Sequence, residues 1–123
     1  MSTKKTNYSE IAKEVTEIEA NIAGTIIVQK GSLIGSYTRP KMPIPNKEKF
    51  GEMFLQAELM ISISQKNADV FGKVEAVIIQ HGILHVFVIP FADNTILALA
   101  IQPGYNQQDL MNKIIRIRDE YIN

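Results

Sequence analysis

The sequence predicts an α/β fold of three layers, an α-β-α sandwich around a five-stranded antiparallel sheet, with elements in the order α-β-β-α-β-β-β-α. Three observations carry this reading. Three segments repeat apolar residues at helical spacing, five β-prone runs are joined by short connections, and the run after Gly82 is closed to water on both faces. In that run Ile83, His85, Phe87 and Ile89 point one way while Leu84, Val86 and Val88 point the other, so the sheet must be covered twice.

The elements follow in order. Residues 1–6 read as a flexible N-terminus. Asn7 with Glu10 has the form of a capping box, and Ile11, Val15, Ile18 and Ile22 recur at i, i+4, i+7 and i+11, which predicts a first helix ending between Ala20 and Gly24. Thr25-Ile-Ile-Val-Gln29 and Leu33-Ile-Gly-Ser-Tyr37 are strands, and Lys30-Gly31-Ser32 between them fits a hairpin. Three prolines force Arg39 to Pro45 into a stiff extended loop, ended by Asn46 as a helix cap. A long helix is expected over Asn46 to Ala68. Strands are then expected near Lys73 to Gln80, Ile83 to Pro90 and Thr95 to Ile101, with turns at His81-Gly82 and Asp93-Asn94. In the last strand Leu97, Leu99 and Ile101 line one face, while Ala98 and Ala100 leave room for a helix on the other. Pro103-Gly104 breaks the chain, and Asn106 with Asp109 opens a closing helix with the stripe Leu110, Ile114, Ile117 and Tyr121.

At 123 residues the chain is one domain, 1–123, able to bury a core without staples. Thirteen basic residues balance thirteen acidic ones with no long run of either sign, which argues against a nucleic-acid partner. Zero cysteine excludes disulfides, thiolate zinc sites and cysteine nucleophiles. The polar first ten residues lack the core of a signal peptide, and the apolar stretch Val74 to Ala92 is interrupted by Gln80, His81, Gly82 and His85. A soluble cytoplasmic protein without membrane insertion is expected.

Chemistry is sparse. His81 lies in a turn and His85 on a strand, so their spacing of four gives no shared metal face, and His85 reads as a satisfied, partly buried residue. Gly31-Ser-Leu-Ile-Gly35 lacks the lysine and the strand-to-helix context of a phosphate loop. Asp69, Asp93, Asp109 and Asp119 fall at turns or helix ends, and no serine sits on a nucleophile elbow. No catalytic residue, cofactor or metal is assigned, and the chain reads as a non-enzyme. Arg39, Lys41, Lys47 and Lys49 cluster around the proline loop. They are either routine surface cations or a docking patch for an acidic partner, to which helix N-terminal amides would add.

The long helix is the most informative element. Phe50, Met53, Phe54, Ala57, Met60 and Ile61 form a broad core stripe, extended by Ser64 and Ala68. Leu55, Leu59 and Ile63 then line up on the far side, flanked by Glu52, Gln56, Ser62 and Lys66. Such a seam meets another helix: either the closing helix of the same chain or a second copy.

With these elements placed, the chain resembles a roadblock domain, the fold of the dynein roadblock light chains. The resemblance runs from Tyr8 to Tyr121. It rests on the helix leading into Gly24-Thr-Ile-Ile-Val-Gln-Lys-Gly-Ser-Leu-Ile-Gly-Ser36, the long helix, the meander through Val74-Glu-Ala-Val-Ile-Ile79 and His85-Val-Phe-Val-Ile-Pro90, and the closing helix. Longin and profilin-like domains share parts of this architecture. The resemblance implies a homodimer in which the long helices pack antiparallel and the third strands pair edge to edge. That assigns Leu55, Leu59, Ile63, Glu52 and Lys66, with Val74, Ala76 and Ile78 on the strand, to the interface. It also implies a platform for Ras-like small GTPases, with no arginine finger assigned among Arg39, Arg116 and Arg118. The alternative is a small-molecule sensory or general adaptor module with a pocket beneath the helices.

Overall fold

The computed structural model describes residues 7–40, 42, 47–92 and 94–122, with the backbone alone for 47, 50 and 122. In chain order they form α1 (Tyr8–Thr16), β1 (Ile22–Gln29), β2 (Ser32–Thr38), α2 (Lys47–Gln65), α3 (Ala68–Phe71), β3 (Val77–Gln80), β4 (His85–Ala92), β5 (Thr95–Ile101) and α4 (Gln107–Ile122). The five strands make one sheet in the order β2-β1-β5-β4-β3, and every neighbouring pair is antiparallel. The expected architecture is present, with one short helix, α3, added after α2.

Each face of the sheet has its own core. On one side α1 and α4 cover Ile27, Phe87, Ile89, Leu97, Leu99 and Ile101 with Ile11, Val15, Leu110, Ile114 and Ile117. On the other, α2 lays Ala57 and Ile61 over Val88, Ile96 and Ala98. The small side chains of Ala57 and Ala98 fit a helix drawn close to the strands, because packing at native density leaves no void to fill.

The caps and turns have local causes. Asn7 Oδ1 accepts from the Ser9 and Glu10 amides (3.1 and 3.2 Å) and starts α1; Asn106 Oδ1 does the same for α4 through the Asp109 amide (2.9 Å). Lys30 (φ 49°) and Gly31 (φ 79°) both adopt the left-handed region, as the two central residues of a type I′ hairpin must. Asn94 (φ 60°) does so before β5, while its expected turn partner Asp93 lies outside the described residues. Residues 1–6, expected to be flexible, residues 41 and 43–46 of the expected proline loop and helix cap, and the side chain of Phe50 lie outside them too.

Four expectations about length are corrected. β4 runs from His85 to Ala92 rather than from Ile83 to Pro90, which leaves Ile83, expected on a covered face, 85% exposed in the preceding turn; the other three follow. α1 ends at Thr16, not near Ala20 to Gly24, and Ile22 is buried from β1 rather than from a helix. The Thr16 hydroxyl donates to the Ala12 carbonyl (2.8 Å) and shares a buried hydrogen bond with Thr25 (2.8 Å), tying the last helical turn to β1. The Arg39 guanidinium donates to the carbonyls of Thr16 (2.7 Å), Glu19 (2.9 Å) and Ile22 (2.6 Å), capping the last helical residue and tying it to the connection into β1. α2 stops at Gln65 rather than Ala68. There Lys66 and Asn67 make tighter i to i−3 bonds, and the Asn67 carbonyl accepts from Val70 and Phe71 to open α3.

The last correction concerns β3, which starts at Val77 rather than near Lys73. The His81 amide donates to the Leu84 carbonyl (3.1 Å), which sets the phase of the hairpin: Ile79 with Val86 and Val77 with Val88 are hydrogen-bonded pairs. The next such pair would be Glu75 with Pro90. Proline has no N–H to donate, so that pair could form only one of its two bonds, from the Glu75 amide to the Pro90 carbonyl, and the ladder ends before it. Val74 turns beneath α2 instead, its amide donating to Gln65 Oε1 (3.2 Å).

α1 and α4 are joined by a half-buried contact. The Tyr121 hydroxyl donates to Glu14 Oε2 (2.8 Å), and this bond, followed by burial and neighbouring carboxylates, raises the phenol above its ordinary value of 10.0. The folded state thus holds this proton longer than the unfolded chain does. The stabilisation is complete below pH 10 and is lost as pH rises through the raised value.

Tyr121→Phe is expected to lower stability by about 0.5–1 kcal/mol at neutral pH and to flatten its decline above pH 10, read from urea melts at several pH values. Glycine positions separate two opposite effects. A Cβ on Gly35 would lie 2.5 Å from the Tyr8 carbonyl carbon, whereas one on Gly51 in α2 meets nothing within 4 Å. Gly35→Ala is therefore expected to cost about 1–3 kcal/mol by pushing α1 off β2, and Gly51→Ala to add about 0.5–1 kcal/mol, in the same melts.

Candidate interaction face

The far side of α2 is bare. Leu55, Leu59 and Ile63 are 59%, 50% and 61% exposed, while Phe54, Ala57 and Ile61 on the opposite side are buried. α4, which could have covered the seam, lies with α1 on the other face of the sheet. Glu52, Gln56, Ser62 and Lys66 border the seam in solvent. Lys49 Nζ lies 3.7 Å from Glu52 Oε2, a surface pair of little energetic weight.

The strand side of the expected interface is smaller than anticipated. β3 is the edge strand, but only Val77 to Gln80 belong to its ladder. Ile78 faces the α1/α4 side opposite Phe87 and is partly exposed. Val74 and Ala76 precede the ladder and are half-buried, Val74 beneath α2 and Ala76 against the opposite core. Of the three residues expected along this edge, Ile78 lies in the ladder and Val74 and Ala76 precede it.

Sequence reasoning missed α3. Val70 and Phe71 are 71% and 84% exposed, more than any seam residue. Phe71 lines an open groove with Ser64 and Asn67 at the end of α2 and with Gly72 to Val77 on the approach to β3. The signal in the sequence is an apolar pair just past a polar break, Gln65-Lys-Asn67.

The basic cluster comes apart. Arg39, read as either a routine surface cation or part of a docking patch, gives its guanidinium to the three backbone carbonyls beside α1. Lys41 and the side chain of Lys47 lie outside the described residues, and Lys49 is exposed near Glu52. Arg116 is exposed on α4, and Arg118 sits 3.4 Å from Asp119.

His85 is partly buried, with Nδ1 2.8 Å from the Tyr105 hydroxyl and the two rings meeting edge to face. Burial raises the Tyr105 phenol above its ordinary value. His81 is exposed in the β3–β4 turn. Among the described residues no group of three or more His, Cys, Asp or Glu could hold a metal ion, and no helix is long and apolar enough to cross a membrane. The larger cleft, about 700 Å³, is an open trough between α2 and the β4–β5 hairpin, rimmed by Lys30, Glu58 and Lys73.

A five-stranded antiparallel sheet with one helix on one face and two on the other defines a mixed α/β domain, and its single-helix layer leaves an apolar seam outward. No family model matches the sequence, and no curated protein does. Solved structures do. A Roadblock/LC7 domain of Streptomyces avermitilis is 12% identical, with a TM-score of 0.76 over 94% of each chain. The gliding protein MglB of Thermus thermophilus is 12% identical, with a TM-score of 0.69 over 96% of this chain and 95% of that one. An MglB in a tetrameric arrangement is 13% identical, with a TM-score of 0.68 over 98% and 96%. The chain has the roadblock fold.

Proposed function

We propose that this chain is a roadblock-family, non-catalytic homodimer of the cytoplasm that binds or regulates a Ras-like small GTPase. The observation that carries the self-association is the seam on α2. When two copies of α2 cross antiparallel about Leu59, Leu55 of each faces Ile63 of the other, and the same register sets Glu52 opposite Lys66 twice. A parallel crossing would set Glu52 against Glu52 and Lys66 against Lys66, which is repulsive. The seam is thus complementary to itself in one orientation, as an isologous interface requires.

The GTPase partner rests on the family resemblance together with the likeness to MglB, one example of which is described as a gliding protein and another as having a tetrameric arrangement. The balanced charge supports a protein partner over a nucleic acid. The sensory reading has less support, since the larger cleft is an open trough.

Light scattering on a sizing column is expected to give twice the 13.8 kDa chain mass for the wild type and the monomer mass for Leu59→Glu. Glu52→Lys or Lys66→Glu alone is expected to weaken the dimer and the two together to restore it. A wild type that stays monomeric would sink the dimer. Pulldowns from extract with GTP- and GDP-loaded Ras-like proteins as competitors are expected to show nucleotide-dependent capture; no retention of any GTPase would reduce the reading to a general adaptor.

A further inference from the structure

We infer that α3 is a second arm of the self-association surface, with Phe71 as its anchor against the other copy. This rests on the antiparallel dimer proposed above and adds a contact that neither the seam nor the strand edge supplies.

Area is the first argument. Fully burying an aliphatic side chain at the usual transfer coefficient corresponds to roughly 60–120 Å², so three half-exposed seam residues offer roughly 100–200 Å² per copy. A stable interface takes about 800 Å² per partner. β3 adds a ladder of only four residues, because Pro90 ends it. Phe71, an aromatic ring of roughly 150–250 Å² that is 84% exposed, offers about as much as the whole seam, and Val70 adds to it.

Position is the second argument. The groove that Phe71 lines begins at Ser64, next to Ile63 at the end of the seam, and runs to Val77, the first residue of the β3 ladder. Phe71 therefore stands between the two elements that the dimer uses. In the register that faces Leu55 with Ile63, the chain beyond Gln65 passes the first turn of the other copy's α2, near residues 47–51. That turn presents exposed Glu48 and Lys49, whose aliphatic stems can cover a ring. Phe71 packs in neither buried cluster of its own chain, so its ring is free to serve another copy.

Sedimentation equilibrium on wild type, Leu59→Glu and Phe71→Ser tests the inference. The expected result is a wild-type dimer, a monomeric Leu59→Glu, and a Phe71→Ser dimer weakened roughly tenfold or more with an unchanged circular dichroism spectrum. A Phe71→Ser dimer as tight as the wild type would overturn the role of α3 while leaving the seam intact. A monomeric wild type would overturn both. The chain contains no tryptophan, so Phe71→Trp supplies a second readout on a residue that keeps the aromatic bulk. Its emission is expected to shift to the blue as concentration rises through the dimer range, and water-exposed emission from a fully dimeric sample would equally overturn the inference.

Discussion

A sheet whose central strands are apolar on both faces needs cover twice, and the rest of this fold follows from how few helices are left to give it. Phe87 and Ile89 alternate with Val86 and Val88 along β4, so half of the strand is useless to whichever layer covers the other half. α1 and α4 together cover one face. The second face falls to α2 alone, and a single helix over several strands must sit close, which Ala57 and Ala98 allow. Among the described residues nothing of its own chain lies above a helix in that position. The polarity of its outer side is then decided by what the protein must meet.

Much of this was legible because it depends on periodicity. The stripe of α4, the pairing of β1 with β2, the two-sided β4 and the partly buried state of His85 all follow from which residues fall on one face. The failures share a different cause. Ile18 and Ile22 continue the helical spacing of α1 by coincidence, and only the cap that Arg39 brings from 17 or more positions away shows that the helix has already ended. The start of β3 is set by Pro90, a residue of another strand, and becomes readable only once the register with β4 is known. Long-range partners decide both boundaries, and no local pattern contains them.

The candidate face divides along the same line. The seam was visible because three apolar residues recur at helical spacing where the other stripe already fills the core. α3 was not, since four residues are too few to display a period and its apolar pair follows a polar break. The backbone contacts of Arg39 were not legible, because a cation next to prolines on paper says nothing about the carbonyls that a hairpin brings beside it in space.

Pro90 has a consequence for solubility. Cross-β stacking draws on segments of about six or seven residues with no proline, high β-propensity and low charge. Val74 to Gln80 carries a single charge and has the composition for it, and as one straight edge it would offer such a template to any unfolded neighbour. By withholding one amide, Pro90 shortens the exposed ladder to four residues and turns Val74 inward under α2. The edge stays open to recognition while being too short to seed a fibril.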